Sequence, residues 1–252
     1  MNKALLASVT ALGLIVPAAF SQSDLSNASL EQLMDVRVTS VNKREQKLAR
    51  TAAAVFVISQ EDIRRSGATN IPDVLHMAPG VQVSRIDANA WAISIRGFNT
   101  RYSNKVLVLI DGRSVYSSSF SGVYWDQQSV PLEDIERIEV IRGPGSTVWG
   151  ANAVNGIINI ITTPAQATKG GLLVAGTGSE DTAQSLLRYG GPAGNDGAYR
   201  VFSSYSRIAD SPLPGGTDAA DGSRRIQGGG RADWNFNTGE RPDRRGQCVL
   251  QQ

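Results

Sequence analysis

The chain has 252 residues, with 25 basic against 23 acidic side chains, a formal charge of +2, and no long block of like charge. That balance excludes the clustered basic face of a nucleic-acid binder. The single cysteine, Cys248, excludes an internal disulfide, and the single histidine, His76, has no second His or Cys at metal-ligand spacing. Abundant glycine (26 residues) favours a turn-rich all-β or α+β chain over a helical bundle.

In chain order, Lys3 precedes an apolar run from Ala4 to Phe20 that ends in small residues, with Ala19 and Ser21 at −3 and −1 of a cleavage site. Residues 1–21 therefore read as a secretory signal peptide. Thr10 and Pro17 interrupt the run and no basic flank follows it, which argues against a membrane anchor. Residues 22–48 read as a flexible segment containing one short alternating stretch, Asp35 to Val41, rich in β-branched residues. The polar run from Asn42 to Arg50 behind it has linker character. A tethered strand-former of this kind suits addition to another protein's sheet edge, and equally suits the first edge strand of the next domain.

Ala54 to Ser59 predicts a buried strand. Ser59, with Asp62 at the third helical position, predicts a capped helix ending at Gly67. Thr69 or Asn70 opens a second helix with Pro72 in its first turn and Val74 and Leu75 inward, stopped by Pro79-Gly80. Strands follow at Val81 to Ser84, Ala92 to Gly97 and Lys105 to Ile110, the last apolar on both faces, and Asp111-Gly112 makes a turn. Ile135 to Val140 alternates Ile138 and Val140 with Arg137 and Glu139, and Gly156 to Thr162 is nearly continuous isoleucine. Between these two strands lie Gly143, Pro144, Gly145 and Gly150, with Ser146 as a candidate cap for a short helical turn. A dinucleotide fingerprint would need glycine where Val148 stands, and a phosphate loop would need Gly-Lys-Ser/Thr, so a nucleotide-using enzyme is disfavoured. Residues 49–164 thus form one small α+β domain.

Two segments of this domain are long and irregular, Ser84 to Trp91 and Arg113 to Ser129. They supply the candidate ligand-facing residues Arg85, Asp87, Asn89, Trp91, Tyr116, Phe120, Tyr124 and Trp125, which can both stack and hydrogen-bond. The aromatics equally suit packing against a covering wall. Beyond Pro164, residues 165–238 break into strand-like pieces at Gly171 to Gly178, Ala183 to Tyr189, Ala198 to Arg207 and Arg225 to Phe236. In the third, Tyr199, Val201 and Tyr205 share one face and Arg200, Ser204 and Ser206 the other, with Phe202 out of pattern. Apolar-out, polar-in alternation over about ten residues is the mark of an outer-membrane barrel strand. Residues 239–252 lack alternation and read as an irregular tail with the look of a frame-shifted end.

Pro79-Gly80-Val81, Ile95-Arg96-Gly97-Phe98-Asn99, Val108 to Ser114 (VLIDGRS), Ile135 to Val140 and Arg142-Gly143-Pro144 stand in a characteristic order. Over roughly Ala49 to Thr163 the chain closely resembles the plug domain of TonB-dependent outer-membrane receptors. The resemblance implies an α+β fold: a small mixed-sheet plug with short helices, followed by the first antiparallel strands of an incomplete transmembrane β-barrel. About 89 residues follow Thr163, whereas the family's barrel of roughly 22 strands needs about 220. The chain is therefore expected to hold a plug and the first three or four wall strands, from a truncated or partial sequence.

The resemblance further implies that the protein is not an enzyme and needs no cofactor or bound metal. No nucleophile, base and orienting group can be assembled from the motifs. Its implied work is energised uptake of a scarce ligand, a small molecule or metal chelate of the siderophore, haem or corrinoid class. The implied location is the cell outer membrane if the barrel is complete, and the periplasm otherwise. Asp35, Val36, Arg37, Val38, Thr39 and Ser40 are similar to the TonB box, which TonB grips from the periplasm by strand addition. Arg37 departs from the hydrophobic residue usual there. Arg96 and Arg142 match plug arginines that pair with glutamates of the barrel wall. The alternative is a stand-alone periplasmic plug-like module that binds but does not transport.

Overall fold

A computed structural model of the chain describes residues 37–38, 46–47, 53–128, 130–179, 181–213, 216–235 and 245–251. The expected signal peptide lies outside them. The plug is built on a five-stranded sheet. Its strands are β3 (Ala54–Ser59), β6 (Val106–Ile110), β7 (Arg113–Ser114), β8 (Ile135–Arg142) and β9 (Gly156–Thr162), in the order β3-β8-β9-β6-β7. The β6–β9 pair is parallel and the other three are antiparallel. Strands β6 and β9 are apolar almost throughout because this sheet is covered on both faces.

Helix α1 (Gln60–Ser66) carries the expected capping box. Asp62 N donates to Ser59 Oγ at 3.2 Å, and Ser59 N donates back to Asp62 Oδ2 at 2.9 Å. Gly67 ends it in the left-handed region that only glycine enters freely. Helix α2 (Ile71–Leu75) is capped by Asn70, whose side chain accepts from Asp73 N at 2.9 Å, and its Val74 and Leu75 are buried. Both helices lie over the main core, packing Ile63, Ile71, Val74 and Leu75 with Ile58, Val108, Ile138, Val140, Ile158 and Ile160. Strands β4 (Val81–Arg85) and β5 (Trp91–Ile95) form a separate hairpin.

The glycine-rich reversal between β8 and β9 contains a four-residue helix, α3 (Ser146–Trp149). Ser146 is not its cap. Gly145 occupies that position, and Ser146 Oγ turns away to donate to Ala153 O at 2.9 Å. Gly156 has a clear steric reason: a Cβ there would lie 2.5 Å from Ile141 O and 2.6 Å from Ile95 Cδ1.

A 3₁₀ turn (Ala165–Thr168) leads from the plug into a second sheet of five consecutive antiparallel strands. These are β10 (Gly170–Gly176), β11 (Asp181–Ala193), β12 (Gly197–Ile208), β13 (Ser223–Asn235) and β14 (Arg245–Gln251). The wall has one strand more than expected. Arg245–Gln251, read from the sequence as part of an irregular tail, pairs with β13, placing Cys248 opposite Ala232. Backbone pairing to an available edge needs no side-chain alternation, which is why the pattern concealed it.

The wall has two unlike faces. Leu173, Leu187, Tyr189, Val201 and Ile226 point away from the plug, with Leu173 72% and Ile226 78% exposed, while Arg200 on the other face is 4% exposed. Phe202, out of pattern in the sequence, takes the plug side opposite Arg188, because Val201 and Tyr205 hold the outward positions. Tyr189, Tyr199 and Trp234 sit on the outer face near the short 194–196 turn, as in an aromatic girdle at a membrane boundary. The opposite end carries the long 209–222 connection. The sheet is open, as expected of the first strands of an incomplete barrel, with its polar face against the plug.

Candidate ligand site and plug-to-wall contacts

At the long-loop end the structure gathers six of the eight candidate ligand-facing residues around one recess of about 340 Å³. They are Asp87, Asn89, Trp91, Phe120, Tyr124 and Trp125. Phe120 and Tyr124 stack with ring centroids 4.1 Å apart, and the Arg101 guanidinium lies 5.9 Å from the Phe120 ring centroid. Trp125 is held inward by a 3₁₀ turn (Trp125–Gln127) and is buried against the core. Arg85 lies over the Trp91 ring at 5.5 Å and lines a larger neighbouring cavity of about 400 Å³ between plug and wall. Tyr116 does not reach the recess; it lies nearer β7, where its backbone N donates to Ser114 Oγ at 3.3 Å.

The 85–90 loop of the plug is held by its own hydrogen bonds. Asp87 Oδ1 accepts from Asn89 N at 2.8 Å and Ala90 N at 2.6 Å, and Arg85 donates to Asp87 O and Ala88 O, both at 3.2 Å. Sequence reasoning missed three charged lining residues: Arg101, Asp126 and Asp221. Asp126 adjoins the noticed Trp125 and pairs with Arg225 of the wall at 3.1 Å. Asp221 comes from a turn-rich wall loop whose composition gives no hint of where it folds back. Its carboxyl is pushed down to about 2 because Ser211 N and Ala88 N donate to it.

At the opposite end a cluster of wall arginines holds the plug. Asp134, fully buried at the end of a 3₁₀ turn (Leu132–Asp134), accepts from Arg188 Nη1, and its Oδ2 lies 3.1 Å from Arg200 Nε. Arg200 Nη1 donates to Thr163 O at 2.9 Å. Arg231 Nη1 donates to Thr162 O at 2.9 Å and lies 3.6 Å from Asp111 Oδ2, while Arg231 Nε bridges both Asp233 oxygens at 3.0 Å. Asp111 in turn accepts from Thr162 N at 2.8 Å and Thr162 Oγ1 at 2.7 Å. The aspartate of the VLIDGRS motif therefore ties the β6–β7 turn to the end of β9. In a site poor in water each charge needs such partners.

The plug-to-wall pairs place the arginine on the wall and the carboxylate on the plug, whereas the resemblance implies plug arginines, Arg96 and Arg142, facing wall glutamates. Arg96 is exposed at a positive φ of 58°, and Arg142 is half-buried with Nη1 donating to Pro79 O at 3.3 Å. Among the described residues neither forms an ion pair. The inward charges of the wall had one visible signal, the polar face of β12 that includes Arg200. Asp134 had none, since nothing in its local sequence distinguishes a buried carboxylate from a solvated one.

Of the TonB-box-like stretch, Arg37 and Val38 form β1 and pair antiparallel with β2 (Gln46–Lys47), and Val38 is buried. Asp35, Val36, Thr39 and Ser40 lie outside the described residues. This two-stranded ribbon is separate from the plug sheet, so Arg37 and Val38 are not part of that sheet's edge. No group of three or more His, Cys, Asp or Glu among the described residues could hold a metal ion.

The family description "TonB-dependent Receptor Plug Domain" matches residues 47–157. The chain is 37% identical over 182 residues to the vitamin B12 transporter BtuB of Vibrio vulnificus, covering 71% of this chain and 28% of that protein. It is 31% identical over 194 residues to BtuB of Vibrio cholerae, covering 76% of this chain and 31% of that one. The chain thus spans less than a third of the relatives it matches. Among solved structures, the E. coli K12 ferric-catecholate import receptor Fiu matches with a TM-score of 0.60 at 26% identity, over 79% of this chain and 27% of that one. The pyoverdine receptor FpvA of Pseudomonas aeruginosa shares the fold, with a TM-score of 0.65 at 21% identity, over 84% of this chain and 29% of that one.

Proposed function

We propose, for a chain that belongs to the TonB-dependent receptors through its plug domain, the role of N-terminal part of an outer-membrane receptor for energised uptake of a scarce ligand. The ligand is a small molecule or metal chelate of the corrinoid, siderophore or haem class. The plug gates the barrel, the recess at its extracellular end meets the ligand, and TonB engages residues 35–40 from the periplasm by strand addition. Arg96 and Arg142 are assigned to carboxylates of wall strands beyond the five described.

The observation that carries this reading is the plug seated against a two-faced wall. Apolar side chains cover the outer face, and the inner face presents arginines to plug carboxylates. A free-standing periplasmic module would have no use for the outward row of Leu173, Leu187, Tyr189, Val201 and Ile226, which in water is a large exposed apolar patch. A lipid bilayer covers such a row without cost.

The test is uptake of labelled cyanocobalamin and of a ferric catecholate. It uses cells that lack their own receptors for both and express the complete receptor carrying this segment. The reading expects accumulation of at least one ligand, abolished by a proton uncoupler. Uncoupler-resistant accumulation, or none of either ligand, would contradict it.

A further inference from the structure

The plug's 85–90 loop is fastened to the wall as well as to itself. Asp221, at the end of the long 209–222 connection, accepts on Oδ2 from Ala88 N at 2.9 Å and from Ser211 Oγ at 2.7 Å. Its Oδ1 accepts from Ser211 N at 2.7 Å, so one carboxylate closes its own loop and grips the plug. Asn89 completes the joint: its Nδ2 donates to Asp221 O at 2.6 Å, and its Oδ1 accepts from Ser223 Oγ at 2.6 Å. Three hydrogen bonds therefore cross between residues more than 130 positions apart in the chain. Ala88 is 2% exposed at the centre of the joint. Asp87, Asn89 and Asp221 also line the recess with Trp91, Phe120 and Tyr124.

We propose that Asp221 is a positioning residue for ligand: a wall carboxylate that holds the plug's 85–90 loop in one conformation, so that plug and wall form the recess as a single unit. The physical reason lies in the donors it satisfies. Without Asp221 the Ala88 N–H is buried without a partner, a state that a short loop escapes by opening. Asp87 and Arg85 fix the loop's internal shape, and Asp221 with Ser223 fixes where that shape sits. The ligand role rests on the uptake reading above; the positioning of the loop does not.

The experiment is hydrogen–deuterium exchange of the 252-residue chain in detergent micelles. It follows peptides spanning 86–91, with peptides spanning 162–168 at the arginine cluster as internal reference. Asp221→Ala is expected to speed exchange at 86–91 about tenfold, through the loss of the one charge-assisted hydrogen bond its side chain makes to the loop, and to leave the reference unchanged. Asn89→Ala, which keeps the carboxylate, is expected to give a smaller acceleration at the same peptides. Unchanged exchange at 86–91 in both variants, or equal acceleration at the reference, would overturn the proposal. In the complete receptor, with cyanocobalamin as probe, Asp221→Ala is expected to weaken apparent affinity about tenfold at an unchanged saturated uptake rate. Unchanged affinity beside faster loop exchange would refute the ligand role. A wild-type receptor that accumulates neither cyanocobalamin nor a ferric catecholate would instead sink the uptake reading and leave the exchange result standing.

Discussion

Replacing Asp134 by Ala removes the one carboxylate that faces both Arg188 and Arg200. Asp134 is fully buried, and the side chains of Arg200 and Arg188 are only 5% and 13% exposed, so water cannot take its place. Removing one partner of a buried ion pair costs about 3–5 kcal/mol, most of it the penalty of leaving the other charge stranded. If that penalty falls on the seated plug alone, its unseated population rises by roughly two to three and a half orders of magnitude. The assay is limited proteolysis of the chain in micelles, following cleavage within residues 162–169, whose Thr162 and Thr163 carbonyls the arginines hold. Because the cluster is shielded, the effect should change little between low and high salt, unlike that of an exposed pair. The combined variant Asp134→Leu, Arg188→Met, Arg200→Met should recover most of the protection, since an apolar replacement of the whole group strands no charge. Wild-type resistance in Asp134→Ala, or equal sensitivity of the single and combined variants, would refute the reasoning.

Gly156→Ala places a methyl against the Ile141 carbonyl and Ile95 between two core strands, and should destabilise the plug by about 1–3 kcal/mol, read as a lower melting temperature in detergent. Leu187→Lys, at the centre of β11 on the outer face, should cost about 2–4 kcal/mol in the bilayer and reduce membrane insertion. Gln184→Lys, on the plug side of the same strand, should insert as well as wild type. Asp221, whose carboxyl lies at about 2 rather than the ordinary 3.8, should hold the plug loop unchanged from neutral pH down to about 4. A depressed carboxyl stabilises fully above its unfolded value and loses that contribution as pH falls through its folded value, so the joint should loosen between about 4 and 2. Asp87, Arg101 and Asp126 share its recess and Asp210 its loop, so Asp221→Asn is the control. Fluorescence of Trp91 and Trp125 should follow the wild-type transition and not the variant's.

What the sequence disclosed depended on whether a residue's role was local. The capping box at Ser59 and Asp62, the Gly67 stop and the apolar strands β6 and β9 follow from neighbours within a few positions, and all stand as expected. The two irregular loops stood out by length and aromatic content, and most of their candidate residues converge on one recess. The partners that hold those loops were not recognisable. Asp221 reaches Ala88 across 133 positions and Arg188 reaches Asp134 across 54, and no local pattern encodes such a meeting. Ser146 looked like a cap because its residue type suits one, yet a neighbouring carbonyl and Gly145 settled the matter otherwise. Strand β14 was hidden because edge pairing draws on backbone groups that every sequence carries.

The central claim, a gated plug moved by a periplasmic partner, is tested most directly by deleting residues 35–40 from the complete receptor and measuring ligand at the cell surface and inside the cell. The account predicts surface binding at the wild-type level and uptake reduced to the level of uncoupler-treated cells, because the recess is built entirely from residues beyond position 86. Uptake at the wild-type rate in the deletion would contradict it.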